Sequence, residues 1–345
     1  MIRSFIDRII RNAPFRKRDR LETPLTPQEQ AFLNIKFFGY ELARSLAEAL
    51  PKRPDLEPQA VNLGWKPSTQ RDLESDWAAC WAFRLKVPVV FHRKIWELCY
   101  VLQALWERGL IEPGRRGLGF GCGREPVASY LASRGVFVTA TDLPPEDAKA
   151  KGWIETAQHA GAAAHLHFPE ICDKADFDRL VSWRGLDMNA IPADLRGYDF
   201  CWSICAFEHL GSIEQGLRFV ENAMATLAPG GVAVHTTEFN FLYERETLTK
   251  GPTVLFLRRH FEELHRRLRE AGHEVEPLDF DVGDKPLDKF IDAPPFPIGH
   301  RAHLFRLWPD SYHIKVACEG FPTTCYGLII RKKTAGPPEK ETTRP

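Results

Sequence analysis

Residues 116–126 read Arg116-Gly-Leu-Gly-Phe-Gly-Cys-Gly-Arg-Glu-Pro126 and carry the strongest structural signal in the chain. The beginning of this stretch is typical of a short strand, and its end is typical of the start of a helix. Gly121 and Gly123 lack a Cβ atom, so the main chain can turn sharply there and a ligand can lie against it. The stretch therefore predicts a strand, a ligand-binding turn and a helix, in that order.

The spacing of the glycines distinguishes this loop from the fingerprint of a dinucleotide-binding site. A dinucleotide-binding fingerprint that uses Gly119 and Gly121 requires a further glycine at position 124, where this chain has Arg124. A side chain at that position hinders the close approach of a pyrophosphate. The loop therefore disfavours an NAD-dependent oxidoreductase, which remains the alternative class of enzyme.

Short β-rich runs alternate with helical patterns on the C-terminal side of residue 116. Strands are predicted at residues 117–120, 136–141, 181–188, 198–204, 231–238, 273–280 and 325–331. Helices are predicted at residues 126–134, 146–159, 212–227 and 261–271. Because such alternation builds βαβ units, the sequence predicts an α/β protein with a mainly parallel sheet.

The first third of the chain predicts helices instead. Thr26-Pro-Gln-Glu29 has the pattern of a capping box, and apolar residues follow at helical spacing as far as Pro51. Residues 51–76 are rich in proline and charge and predict a connecting loop, whereas residues 77–109 return to a helical pattern. We therefore expect an all-helical layer before the sheet.

The second and third predicted strands follow the glycine-rich turn in sequence, and each ends near an acidic residue. Asp142 and Asp187 occupy these two ends, and Met188 follows Asp187. Because the carboxyl ends of parallel strands meet at one crevice, these residues should lie beside the turn. There Asp142 can accept hydrogen bonds from both hydroxyls of a ribose, and Asp187 can accept one from an adenine amino group while Met188 packs on the ring.

Taken together, these motifs resemble the class I S-adenosylmethionine-dependent methyltransferases over roughly residues 90–333. The resemblance implies a Rossmann-like, seven-stranded sheet of order 3-2-1-4-5-7-6 with the last strand antiparallel. It also implies S-adenosylmethionine as the cofactor and transfer of its methyl group by in-line displacement. The predicted cofactor-site residues are Gly119, Gly121, Cys122, Gly123, Glu125, Asp142, Leu143, Asp187, Met188, Asn189 and Ser203.

One position departs from the family pattern. Members usually have an acid where Gly119 stands, to bind the amino group of the cofactor, and a glycine where Glu125 stands. We hypothesise that Glu125 supplies the missing carboxylate. The alternative is an ordinary glutamate at a helix start, where the helix dipole favours negative charge.

The ends of the fourth and fifth predicted strands offer catalytic groups. Glu208 and His209 follow the fourth strand, and His235 and Glu238 lie at the end of the fifth. A hydroxyl acceptor loses its proton as the new bond forms, and a histidine or carboxylate within hydrogen-bond reach is the usual base. Each of the four has a structural alternative, as pocket wall or as a half-buried polar residue at a strand end.

Composition and pattern, together with the resemblance, predict an organisation in domains. We expect an N-terminal helical extension or cap, a methyltransferase domain with an insertion over the substrate side, and a disordered tail. These parts are expected at residues 1–90, 91–333 with the insertion at 281–324, and 334–345 respectively. His92, Arg93 and Lys94 either close over the pocket as a lid or form a solvated helix start.

The net charge and the motif after the fourth strand limit the classes of methyl acceptor that we expect. Lysine plus arginine equals aspartate plus glutamate at 46 each, so no overall field attracts a polyanion. The Asn/Asp-Pro-Pro-Tyr motif of amino-methylating nucleic-acid enzymes is absent after the fourth strand, where Ala206-Phe-Glu-His209 stands. We expect a hydroxyl of a sugar, a glycan or a small metabolite, and no nucleic acid. A non-catalytic S-adenosylmethionine-binding module is the second alternative.

Aromatic residues in the expected insertion suit stacking against a sugar or another ring. They are Phe290, Phe296, Phe305, Trp308 and Tyr312. No metal is expected, because His300, His303 and His313 have no carboxylate or cysteine at convincing ligand spacing.

Cysteine use and hydropathy indicate a cytoplasmic protein. The chain has 8 cysteines without a Cys-x-x-Cys pair, as expected in a reducing compartment. No apolar run reaches the ~18 residues that a membrane span needs. The basic and apolar residues at 1–20 suit either weak membrane-surface contact or a frayed helix end. The oligomeric state is left open.

Overall fold

The computed structural model describes residues 26–51, 53, 55–146, 159–294 and 312–334. The predicted helix at 146–159 lies almost wholly outside this part of the chain. The segment 1–20, the tail beyond residue 334 and the side chains of His300, His303, Phe296, Phe305 and Trp308 also lie outside it.

A single mixed sheet forms the centre of the described chain. Its strands are β1 (Lys66–Pro67), β2 (Arg116–Phe120), β3 (Phe137–Asp142), β4 (Val181–Gly185), β5 (Tyr198–Ile204), β6 (Leu227–Asn240), β7 (Glu274–Val275), β8 (Ile291–Asp292), β9 (Lys315–Cys318) and β10 (Phe321–Arg331). Neighbours run β4-β3-β2-β5-β6-β10, and β7 pairs with β10. Strands β2 to β6 pair in parallel, whereas β10 is antiparallel to β6. The predicted Rossmann-like sheet is therefore confirmed, with β1, β8 and β9 as additional short strands.

Helices cover the sheet, and their bounds follow local signals. They are α1 (Pro27–Ala49), α2 (Gln70–Leu73), α3 (Asp76–Arg84), α4 (Arg93–Glu107), α5 (Val127–Ser133), α6 (Lys174–Leu180), α7 (Ile213–Ala223), α8 (Arg258–Glu270) and α9 (Pro286–Lys289). At the start of α1 the predicted capping box forms, because the Thr26 hydroxyl accepts from the Glu29 amide at 3.2 Å and the Glu29 carboxylate accepts from the Thr26 amide at 2.8 Å. Within the described residues, we find no helix both long and apolar enough to cross a bilayer.

The prediction of an all-helical front third is wrong, because part of this segment pairs with the outer edge of β10. Instead of a plain loop at 51–76, the chain forms β1 and α2 there, so the layer is not all helical. β1 pairs with the middle of β10, between the parts of that edge paired with β7 and β9. The Trp65 indole N–H also donates to the Ile329 carbonyl at 2.8 Å. The N-terminal segment is thus part of the sheet.

Two predicted strands are shorter than expected for local reasons. The strand predicted at 273–280 forms only as β7, because Pro277 has no N–H for the ladder and its carbonyl accepts from Trp65 at 3.1 Å instead. The strand predicted at 181–188 ends at Gly185. There the Asp187 carboxylate accepts from the Asn189 amide at 2.9 Å, which turns the chain away from the sheet.

Helix α4 packs closely on the sheet, and its first turn therefore lies at the carboxyl ends of the parallel strands. A Cβ atom at Gly327 of β10 would overlap the Tyr100 ring of α4, so glycine is required for this approach. Tyr100 is fully buried and donates to the Gly64 carbonyl at 2.7 Å. The first turn of α4, with Arg93 and Lys94, consequently lies over the ends of β5, β6 and β10.

Candidate active site

The glycine-rich turn lies between β2 and α5, as predicted. Gly121 and Gly123 have φ values of +58° and +53°, a left-handed conformation that favours glycine. A Cβ atom at Gly121 would lie 2.8 Å from the Ala206 Cβ and 3.3 Å from the Met188 Sδ. The turn and the segments that follow β4 and β5 therefore meet at one place.

Asp142 ends β3 beside this turn. One of its carboxylate oxygens accepts from the Gly123 amide at 3.2 Å and the Ala160 amide at 3.0 Å, and the other accepts from the Leu143 amide at 2.8 Å. Burial raises the pKa of this carboxyl, and the three amides oppose the change by stabilising the charged form. Main-chain donors thus hold a carboxylate at the strand tip.

Three further predicted cofactor residues lie at the end of β4. Met188 is buried against the glycine-rich turn, and Asp187 is half-buried. Asn189 is exposed, and its side chain accepts from Gln215 at 3.4 Å. The structure therefore brings this group to the same sheet edge as Asp142.

Other predicted cofactor residues contribute packing through their side chains. A Cβ atom at Gly119 would overlap the Cys122 Sγ and the Trp202 ring, so these groups fill the space beneath the turn. Ser203 is fully buried, and its hydroxyl lies 2.8 Å from Nδ1 of His235. The core position of this side chain does not support the prediction of Ser203 as a cofactor-binding residue.

His235 is likewise a core residue and not a surface base. Its ring packs edge-on against Phe207 and Phe219, and burial lowers its pKa to about 3, so the ring stays neutral. Successive residues of a strand point to opposite faces. Thr236 and Glu238 contact α4, whereas His235 points to the other side of the sheet.

A buried ion pair crosses from α4 to β6. The Arg93 guanidinium pairs with the Glu238 carboxylate, whose second oxygen accepts from the Thr323 hydroxyl at 2.9 Å. The Arg93 side chain is 21% exposed and that of Glu238 is 8% exposed. The expectation of a solvated helix start is therefore wrong for Arg93.

Two more acids accompany Lys94 at the start of α4. Lys94 Nζ lies 3.5 Å from Oε1 of Glu97, whose other oxygen accepts from the Thr236 hydroxyl at 2.5 Å. Glu125 Oε2 is buried, and no described group donates a hydrogen bond to it. Burial raises the pKa of Glu125 to about 8, although the charge of Lys94 acts against the rise.

Sequence reasoning missed Glu97. The available signal was a glutamate directly after Trp96, one turn after Arg93 and Lys94 on the same face of α4. A fully buried acid needs a partner, and this one has Lys94 and Thr236.

Glu208 and His209 lie in a short 3₁₀ turn after β5. Glu208 is 1% exposed, and its Oε2 accepts from the Thr237 hydroxyl at 3.0 Å. His209 Nδ1 lies 2.9 Å from the Pro252 carbonyl oxygen, and Nε2 lies 3.8 Å from Glu208 Oε1. In the neutral ring, the contact with Pro252 puts the proton on Nδ1 and the lone pair on Nε2, the form that a general base needs.

The donor set fits a nucleoside that carries a positive charge. Bare main chain at Gly121 allows close approach, and the Asp142 carboxylate stands beside it. Glu125 adds a buried carboxylate oxygen without a described donor, which suits an ammonium group. When bound, S-adenosylmethionine supplies an electrophilic methyl group. Gly121, Gly123, Asp142, Asp187, Met188 and Glu125 would hold it.

Comparison with known proteins gives the family. A family model described as "Methyltransferase domain" matches residues 91–278, more than half of the chain. No curated protein matches the chain.

Solved structures with a similar arrangement share little sequence with the chain. A protein from Galdieria sulphuraria, assigned as a sarcosine dimethylglycine methyltransferase, is 17% identical, with a TM-score of 0.41 over 69% of this chain and 84% of that one. A TehB-like SAM-dependent methyltransferase from Corynebacterium glutamicum is 18% identical, with a TM-score of 0.34 over 67% of this chain and 86% of that one.

The family match sets aside the NAD-dependent alternative. The order of the strands and the glycine-rich turn agree with it. The chain belongs to the class I S-adenosylmethionine-dependent methyltransferases, and its cofactor is S-adenosylmethionine.

Proposed function

We propose that this methyltransferase acts on a hydroxyl group of a small acceptor, a sugar, a glycan or another small metabolite. The observation that supports this most directly is the pair formed by His209 and Glu208 at the end of β5. A hydroxyl releases a proton on methylation, and His209 has its lone pair on Nε2, beside a buried carboxylate. His209 accepts the proton in this proposal, and Glu208 stabilises the resulting imidazolium.

Glu238 and Arg93 orient the acceptor in the same proposal. They form a desolvated ion pair at the carboxyl end of β6, next to the first turn of α4. A charged pair held in this way offers fixed donors and acceptors to a polar ligand without reorganisation. Glu238 is then a positioning residue, and His209 is the base.

We also propose that residues before 91 and the insertion at 281–324 close the site together as a cap. In support, Asp292 of β8 accepts from the Tyr40 hydroxyl of α1 at 2.7 Å and lies 2.7 Å from Nδ1 of His313. The Lys36 ammonium of α1 pairs with the same carboxylate. The Phe290 ring packs edge-on against Tyr40, so it stabilises the cap and does not project toward an acceptor.

Labelled S-adenosylmethionine tests the proposal with a panel of sugars, phenolic compounds, lipids, amines and nucleic acids. We expect label in hydroxyl-bearing acceptors and none in nucleic acid. His209→Gln should lose turnover and keep its affinity for S-adenosylhomocysteine, whereas His273→Gln, at the opposite end of the sheet next to Lys333, should keep both. Label transferred only to amines contradicts the proposal, and cofactor binding with no transfer to any acceptor favours a non-catalytic module.

A further inference from the structure

Two cysteines that are 120 residues apart in sequence meet at this site. Cys205 follows β5 and Cys325 lies in β10, and their Sγ atoms are 3.8 Å apart. Cys325 is directly opposite Glu238 in the sheet, so both side chains point to α4. Glu97 of α4 completes a group whose ligand atoms all lie within 4.8 Å of one another.

The spacing of this group suits zinc. Zinc–sulfur bonds are about 2.3 Å long, and two thiolates of a tetrahedral site are consequently about 3.8 Å apart. Glu97 is fully buried, and its Oε1 accepts no hydrogen bond from the described residues. The other oxygen is fixed by Thr236, as expected for a ligand oriented by an outer partner.

The Arg93 guanidinium lies beside both sulfur atoms and can stabilise them as the thiolates that bind a metal ion. Arg93 Nη1 lies 3.7 Å from the Cys325 Sγ and 4.0 Å from the Cys205 Sγ, where it can donate to thiolate sulfur. Two thiolates and the Glu97 carboxylate carry three negative charges. A divalent ion balances two of them and Lys94 balances the third, while Arg93 stays paired with Glu238. Lys94 Nζ lies 3.5 Å from Glu97, and Glu125 is its other acidic neighbour.

We propose that Cys205, Cys325 and Glu97 bind a Zn²⁺ ion. Three protein ligands leave a fourth coordination position, the pattern of catalytic and not of structural zinc sites. Cys205 directly precedes Ala206, which packs on the glycine-rich turn, so the metal site lies near that turn. The fourth ligand is water or the acceptor oxygen. The second of these rests on the proposed function, whereas zinc binding does not.

Metal analysis of the full-length protein tests the site. The protein is kept reduced, loaded with Zn²⁺, dialysed against metal-free buffer and analysed for zinc by mass spectrometry. We expect one zinc per chain, and with Co²⁺ in its place a sulfur-to-cobalt charge-transfer band. Glu97→Gln and Cys325→Ser should lose stoichiometric zinc, whereas Cys318→Ser, a half-buried cysteine outside the group, should retain it.

A weaker change reports on geometry without removing a ligand. Thr236→Val should lower zinc affinity by about 10- to 100-fold, the usual effect of losing an outer-shell partner. Substoichiometric zinc in the wild-type protein, unchanged zinc in both ligand variants, or a Cys205–Cys325 disulfide under the reducing conditions overturns the proposal. Calorimetry with S-adenosylhomocysteine on the same samples distinguishes loss of the metal site from loss of the proposed function or of the fold.

Discussion

The two halves of the functional edge are built differently. At the ends of β3 and β4, the Asp142 and Asp187 carboxylates accept hydrogen bonds from main-chain amides that are at most 19 residues away in sequence. At the ends of β5, β6 and β10, side chains pair with side chains far away in sequence, as Thr236 does with Glu97, 139 residues earlier. We call the first group, which contains predicted cofactor residues, the cofactor half, and the second, which contains the proposed acceptor residues, the acceptor half. The cofactor half depends on main-chain donors, and the acceptor half depends on matched side chains.

The largest effect should come from removing one charge in the acceptor half. Arg93→Ala leaves Glu238 buried without its cation, and breaking a buried pair in this way reduces the free energy of unfolding by about 3–5 kcal/mol. Urea unfolding measures the change. Arg53→Ala is the matched control, because its ion pair with Asp76 is exposed and contributes less than about 1 kcal/mol. Equal losses in the two variants would contradict the comparison.

An intermediate effect should appear in cofactor binding when the cofactor half is changed. Asp142→Ala removes a charged acceptor, and a hydrogen bond to a charged group contributes about 1.5–3 kcal/mol. We expect the affinity for S-adenosylhomocysteine, measured by calorimetry, to fall about 10- to 100-fold. Asp199→Ala is the control, because Asp199 also accepts from a main-chain amide, that of Arg116 at 2.8 Å, but at the opposite end of the sheet. A similar loss in the control would show that folding and not recognition is affected.

At Glu125, where the two halves meet, the effect on stability should depend on pH. Burial raises its pKa to about 8 in the folded protein, from an ordinary value of 4.5. The folded state therefore binds this proton more tightly than the unfolded state, and the stability contributed by the protonated form is lost as the pH rises through that interval. Glu125→Gln cannot titrate, so its stability relative to the wild type should increase from pH 4.5 to 8 and then level off. Unfolding experiments across the interval measure this difference.

The smallest effect should be that of the same variant on cofactor affinity, which should fall although stability rises. If Glu125 binds the ammonium group, Glu125→Gln should bind S-adenosylhomocysteine about tenfold more weakly, which corresponds to about 1.4 kcal/mol. Unchanged affinity would leave Glu125 as a buried helix-start residue with no role in recognition.

The elements that local sequence determines were predictable. The capping box at Thr26, the glycine-rich turn and the mainly parallel sheet of an α/β protein are confirmed, because each depends on a short pattern or on alternation of strands and helices. Met188 beside Gly121 is also where the pattern placed it. These features need no knowledge of which distant segments meet.

The rest depends on long-range contacts that spacing does not reveal. β1 is two residues long and forms only because β10 offers an unpaired edge more than 250 residues away in sequence. Cys205 and Cys325 show no ligand spacing in the sequence, and Glu97 lies within an apolar helix. His235 and Glu238 looked equivalent at one strand end, yet alternation along the strand puts them on opposite faces.

The division of the outer edge of β10 among β1, β7 and β9 has a practical consequence for anyone who shortens this protein. A minimal catalytic fragment that starts after residue 90 would lack β1 and leave main-chain groups near Tyr326 and Gly327 open to solvent. An uncovered strand edge is a template on which another molecule can add its own strand. Such a fragment is expected to self-associate, even though every residue of the cofactor site is still present.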